Sequence, residues 1–251
     1  MTSSEQSRNR AVAIVTGAAR RIGAAIIERL HERGLDVVIH YRGSADQARA
    51  LADALNRQRS DSATLVQADL ADAEAHRVIS QAALDHFGRI DVLVNNASAF
   101  YPTPIGEAEG AHWDELMASN LRAPFFLSQT CAPHLARRGG AIVNLVDIHA
   151  LVPMQRHSVY CQAKAGLVMQ TRALAKELAP SIRVNGVAPG AILWPENEGS
   201  AEAAAAILDR IPLGHQGRSE DIAGAVTFLA LDAPYVTGQI LAVDGGRMLN
   251  M

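Results

Sequence analysis

The chain has 251 residues, 49% of them apolar, with a formal net charge of −3 and two cysteines. That length and apolar content suffice for one large α/β domain. The weakly acidic balance argues against a nucleic-acid or anionic-membrane partner, and Cys131 and Cys161 have neither metal-ligand spacing nor a disulfide framework, so no metal site is expected. Residues 1–10 are polar, lack the apolar segment of a signal peptide, and read as a disordered tail. No apolar run is long enough to span a membrane, so the expectation is a soluble cytoplasmic protein.

Residues 11–15 form a short apolar run without helical period, the pattern of a buried strand. The turn Thr16-Gly17-Ala18-Ala19-Arg20-Arg21-Ile22-Gly23 follows, and Ile22, Ile26, Ile27 and Leu30 then recur at helical spacing up to Gly34. Strand, glycine-bearing turn and helix is the arrangement that binds a dinucleotide pyrophosphate. Glycine lets the backbone come close, and the helix start offers unpaired N–H groups. A second strand over 35–39 ends at His40, Tyr41, Arg42, Gly43 and Ser44. A site specific for NADH wants an acid here for the ribose 2′-hydroxyl. Arg42 and Ser44 instead suit a 2′-phosphate, so NADPH is the expected cofactor. His40 itself reads as a packed histidine at the strand end.

A helical pattern over 44–59 leads to a strand at 63–66 and then to Asp69 and Leu70. Asp69 is placed either to accept a hydrogen bond from an adenine amino group or to cap a helix beginning near Asp72. The next helix reaches Phe87 and stops at Gly88. Strand four, 90–94, runs into Asn95, Asn96, Ala97, Ser98, Ala99, Phe100 and Tyr101. Buried asparagines need partners, so this pair is expected to tie neighbouring strands together while its backbone lines the cofactor. A helix over about 111–131 carries Asn120 in its middle, a poor helix residue that implies a buried polar task. Strand five, 141–146, ends at Asp147. A helix from Ser158 to Leu178 then places Tyr160 and Lys164 one turn apart on one face. A lysine ammonium beside a phenol is expected to lower the tyrosine's pKa toward the range of useful proton transfer. Cys161, on a different face, reads as a buried thiol. Strand six, 182–187, closes at Pro189 and Gly190. Residues 191–217, with a helical piece at 201–209, read as a lid over the carboxyl edge of the sheet. A last long helix starts at Ser219, and a seventh strand, 239–243, leads to Asp244-Gly245-Gly246. Strand and helix alternate throughout without a linker. The expected fold of 11–251 is therefore a single-domain, Rossmann-type, doubly wound parallel seven-stranded sheet with helices on both faces.

Thr16-Gly17 to Gly23, Asn95-Asn96-Ala97, Asn120, Tyr160-x-x-x-Lys164, Pro189-Gly190 and Asp244-Gly245-Gly246, in this order and spacing, resemble the short-chain dehydrogenase/reductase family over nearly the full chain. Within it the chain is most similar to pteridine reductases. The middle glycine of the cofactor turn is Arg21, the second strand ends His40 to Ser44, and strand four continues through Ser98, Phe100 and Pro104. The family's catalytic serine, thirteen residues before the tyrosine, is Asp147. The resemblance implies NADPH held by Gly17, Arg20, Arg21, Ile22, His40, Tyr41, Arg42, Ser44, Asp69, Leu70, Asn96, Ala97, Ser98, Tyr160, Lys164, Pro189, Gly190 and Ile192. It implies a pterin, or dihydrofolate, bound by Arg21, Ser98, Phe100, Asp147 and Tyr160. Asp147 and Tyr160 would supply the proton, Lys164 would hold the nicotinamide ribose, and Asn120 would position a water against Lys164. A homotetramer is the implied assembly. Phe100 has a physical argument of its own: a phenyl ring can clamp a flat substrate against a nicotinamide. Two rival readings are a carbonyl or 3-oxoacyl reductase of the same family and a non-catalytic NADPH-binding regulator. A regulator would have no need of Asp147, Tyr160 and Lys164 together.

Overall fold

The computed structural model describes residues 10–192 and 201–251. Its centre is a seven-stranded sheet, β1 (Val12–Val15), β2 (Asp36–Tyr41), β3 (Ala63–Gln67), β4 (Val92–Asn95), β5 (Ala141–Leu145), β6 (Arg183–Pro189) and β7 (Ile240–Val243). The strands lie in the order β3-β2-β1-β4-β5-β6-β7, and every pairing is parallel. Parallel strands need crossovers, so the sheet is covered on both faces and its central strands are apolar on both sides. β1 illustrates this. Ala13 and Val15 pack into one core with α1 (Arg21–Glu32), α2 (Ala45–Gln58) and α8 (Ser219–Thr227). Val12 and Ile14 face the opposite core, with α3 (Ala75–Phe87), α5 (Ala123–Ala136) and α6 (Ser158–Leu178). Each fully buried Ile or Leu in these layers contributes about 2–3 kcal/mol.

The chain order reverses direction between β1 and β4, so the crossovers leave on opposite sides and a crevice opens at the carboxyl ends of these strands. Among the described residues no helix is long and apolar enough to cross a membrane.

Several expectations shift. Arg10 is not part of a tail: its guanidinium donates to the buried Asp36 carboxylate at 2.8 Å, while the expected disorder of 1–9 lies outside the described residues. Asp69 caps no helix. Its carboxylate accepts the Ala71 N–H at 2.9 Å and closes a turn, and α3 begins only at Ala75. The single helix expected over 111–131 is three pieces: α4 (Gly110–Met117), a π turn (Ala118–Arg122) and α5, which runs on to Ala136. The middle of the expected lid, including Trp194, lies outside the described residues; on either side of it, α7 (Ala201–Leu208) matches the helical piece, and the Gly217 N–H donates to the Ala191 carbonyl at 3.0 Å.

Candidate active site

The crevice holds a cavity of about 510 Å³ lined by Gly17, Arg20, Arg21, Ile22, His40, Tyr41, Arg42, Ser44, Asp69, Leu70, Asn96, Ala97 and Ser98, among others. Its floor is the turn after β1. Gly17 has φ +61°, and a side chain there would also come within 2.9 Å of the Ala97 backbone. A side chain at Gly23 would overlap the Gly17 carbonyl and lie 2.7 Å from the Asn96 amide nitrogen. These contacts hold the turn against β4. The Thr16 hydroxyl accepts the N–H groups of Asn96 at 2.9 Å and Ala97 at 3.0 Å, and the Asn96 side chain donates back to the carbonyls of Thr16 and Gly17. Arg21, where the sequence lacks a glycine, sits at φ +56°, a conformation glycine takes without cost and arginine does not.

His40 is packed, as its strand-end position suggests, and is 1% exposed. Its Nδ1 accepts the Gly17 N–H at 3.1 Å, so Nε2 carries the proton donated to the Ala68 carbonyl at 3.1 Å. The ring thereby latches the ends of β1, β2 and β3. Burial lowers its pKa to about 4, the Ala68 bond opposing the shift.

Asp147 stands at the carboxyl end of β5 and caps a short 3₁₀ turn (Ile148–Ala150). One carboxylate oxygen accepts the His149 N–H at 2.8 Å, and the other accepts the Tyr160 phenol at 2.7 Å. Tyr160 is 4% exposed. Burial, and then the adjacent Asp147 charge and its hydrogen bond, push the phenol well above its ordinary pKa. This reverses the direction expected from the Tyr160–Lys164 spacing. Lys164 does lie over the Tyr160 ring, its Nζ 5.7 Å from the centroid, but the carboxylate is closer to the hydroxyl. Lys164 is buried, donates to the Leu145 carbonyl at 2.8 Å, and is lowered to about 8 by burial, with Asp147 opposing. Asn120, fully buried in the π turn, donates to the carbonyls of Ala99 and Leu116, both at 2.9 Å, and accepts the Ser98 hydroxyl at 2.7 Å. Its polar task is thus to tie the loop after β4 to the turn.

A family model described as enoyl-(acyl carrier protein) reductase matches residues 17–247. The chain belongs to the short-chain dehydrogenase/reductase family. It is 37% identical to 3-oxoacyl-[acyl-carrier-protein] reductase FabG of Staphylococcus aureus, over 94% of this chain and 98% of that one. It is equally, 37%, identical to pteridine reductase 1 of Leishmania tarentolae, over 95% of this chain and 96% of that one. A 3beta-hydroxysteroid dehydrogenase 1 of Eggerthella lenta is again 37% identical, over 94% and 93% of the two chains. Membership of the family makes the chain an NAD(P)-dependent oxidoreductase acting on a small molecule, and the glycine cradle with three arginines at the cavity wall fits such a cofactor.

In this short-chain dehydrogenase/reductase the sequence-derived cofactor residues from Gly17 to Ser98 gather around one cavity. Pro189, Gly190 and Ile192 do not line it. Pro189 ends β6 and the other two follow it; Gly190 donates its N–H to the Val243 carbonyl and Ile192 is buried. Asp147, Tyr160 and Phe100 form a second group: the Phe100 ring meets Tyr160 edge to face at a centroid distance of 4.9 Å. Ser98 lines the cavity, and its hydroxyl donates to the Asn120 amide oxygen at 2.7 Å. Two residues escaped sequence reasoning. Ser119 lines the cavity, and His157 stacks on Phe100 at 4.8 Å and 12°. Neither belongs to a motif; each makes a contact between segments distant in sequence, Ser119 with the Ala99 N–H and His157 with the Phe100 ring. Cys161 is buried as expected, and Tyr101 packs through its hydroxyl on Glu115 at 3.0 Å.

Proposed function

We propose that this chain reduces the C=N bond of a dihydropterin, or of dihydrofolate, with NADPH as the hydride source. The observation that carries this reading is the 2.7 Å bond from the Tyr160 phenol to the Asp147 carboxylate. A ketone asks for a hydroxyl that donates to its oxygen. An imine asks for a hydride on carbon and a proton on nitrogen, and a tyrosine–carboxylate pair can deliver that proton. NADPH supplies the hydride when bound; the chain's own residues do the rest. The turn at Gly17 and the start of α1 would receive the pyrophosphate, Arg42 and Ser44 the 2′-phosphate, and Lys164 the nicotinamide ribose. Tyr160, kept protonated by burial and by Asp147, donates to the substrate nitrogen, and its proton is replaced through Asp147 from solvent. Phe100, 49% exposed, offers an open ring face to a flat substrate. Assembly as a homotetramer belongs to the same reading.

A second reading, reduction of a 3-oxoacyl thioester, draws on the similarity to 3-oxoacyl reductases, which supports it at least as well as the similarity to a pteridine reductase supports the first. The acceptor atom separates the two. NADPH oxidation by the purified protein, with dihydrobiopterin, dihydrofolate and an acetoacetyl thioester in parallel, is expected to proceed on the pterins. Turnover of the thioester alone rejects the pterin reading. Intact NADPH binding without any turnover favours the regulator.

A further inference from the structure

The loop after β4 and the segment leading into α6 are far apart in sequence yet joined beside the reaction centre. The Thr103 N–H donates to the Arg156 carbonyl at 2.6 Å, and Thr103 pairs with His157 in an isolated parallel bridge. His157 is 8% exposed. Its Nδ1 lies 2.9 Å from the Gln155 carbonyl, which fixes the ring's rotation and leaves Nε2 with no partner among the described residues. In that orientation the imidazole lies nearly parallel to Phe100, at 4.8 Å and 12°. Phe100 then has one face covered by His157, its neighbour Tyr160 set edge to face, and half of its surface still open.

A half-exposed phenyl ring at a loop tip turns freely unless something holds it, and a stacking platform works only at a set angle to the reacting atoms. We propose that His157 is a positioning residue that backs Phe100, presetting the phenyl ring as the platform on which a flat bicyclic substrate stacks beside the Tyr160 hydroxyl. The proposal rests on the pterin reading for the identity of that substrate. The stack then has three layers, imidazole, phenyl and substrate, with the imidazole buried and never touching the substrate. A planar partner of similar size should serve equally well, because the contact is ring on ring.

Two variants of the full-length chain test this, H157A and H157F. H157A is expected to raise KM for dihydrobiopterin about tenfold, with kcat within about twofold and NADPH affinity unchanged. H157F is expected to restore KM to within about threefold. An unchanged KM in H157A, or a loss that H157F fails to restore, overturns the proposal. Amide hydrogen exchange over residues 98–104, measured without substrate, reads the backing directly: faster in H157A, near wild type in H157F. Unchanged exchange in H157A also overturns it. If the wild-type protein turns over no pterin while exchange responds as expected, the backing of Phe100 stands and the substrate assignment falls.

Discussion

Asp147 lies where the family keeps a serine, and both of its carboxylate oxygens are engaged, one by the His149 N–H and one by the Tyr160 phenol. Removing the side chain takes away the phenol's acceptor without touching the cofactor cavity, whose walls exclude it. Asp147→Ala is therefore expected to lower kcat on a dihydropterin about a hundredfold or more, the scale of a lost proton-transfer group, while NADPH affinity changes little. Steady-state kinetics beside fluorescence titration of NADPH checks this, and equal losses in both would contradict the assignment. Within the cofactor cavity Arg42 is exposed and only loosely paired with Glu115 at 3.6 Å. Arg42→Ala should weaken NADPH about tenfold and NADH little, since only the former carries the 2′-phosphate; a constant ratio of the two dissociation constants would remove Arg42 from the phosphate site. Both residues were legible because a charge in a family position that normally holds something else has a chemical meaning by itself. The direction of the Tyr160 shift was not. Spacing on one helix shows Lys164 near the ring, whereas the burial of the phenol, and then the Asp147 carboxylate at the end of β5, come from the packing of other elements.

At the scale of elements, the π turn at Ala118–Arg122 is the feature that position along the sequence concealed. A helical pattern with one asparagine in it reads as a helix. The turn's wider winding, in which the Ala123 N–H reaches back to the Ala118 carbonyl, shows only when the asparagine's partners are known. Those partners include the Leu116 carbonyl in the preceding turn and the Ala99 carbonyl on another loop. Asn120→Ala removes the amide, strands the buried Leu116 carbonyl and frees the part-buried Ala99 carbonyl, at about 1–3 kcal/mol in all. Urea unfolding of this variant should show a loss of that order, with the loop carrying Ser98 and Phe100 released first. A variant as stable as wild type would mean the turn holds itself. By contrast, α6 was read from Ser158 to Leu178 and is found over those residues, because its start and its end before Pro180 are both written locally.

For the whole molecule, alternation of strand and helix was enough to read the sheet, since burial on both faces forces continuous apolar strands and short crossovers decide their neighbours. What alternation does not contain is how the strand ends are fastened to one another. His40 is one such fastening, bridging Gly17 and Ala68 as a neutral ring. Its pKa is about 4 in the folded chain against 6.5 for the free group, so the unfolded chain takes up the extra proton between those values. Stability from this latch is complete above about pH 6.5 and is lost as pH falls through 4, up to about 3 kcal/mol. Denaturation midpoints at pH 7 and pH 4 should therefore fall further for wild type than for His40→Gln, and parallel losses would count against the latch.

The bridge from Thr103 to Arg156 and His157 has a consequence for how this scaffold changes over time. The stretch that bears the phenyl ring and the stretch that leads into the tyrosine's helix are stitched to each other, so neither can be exchanged alone without leaving raw edges. They would be inherited, or transplanted into a relative, as one cassette, and a new preference for acceptor molecules would arrive by replacing both halves together while the sheet beneath stays as it is.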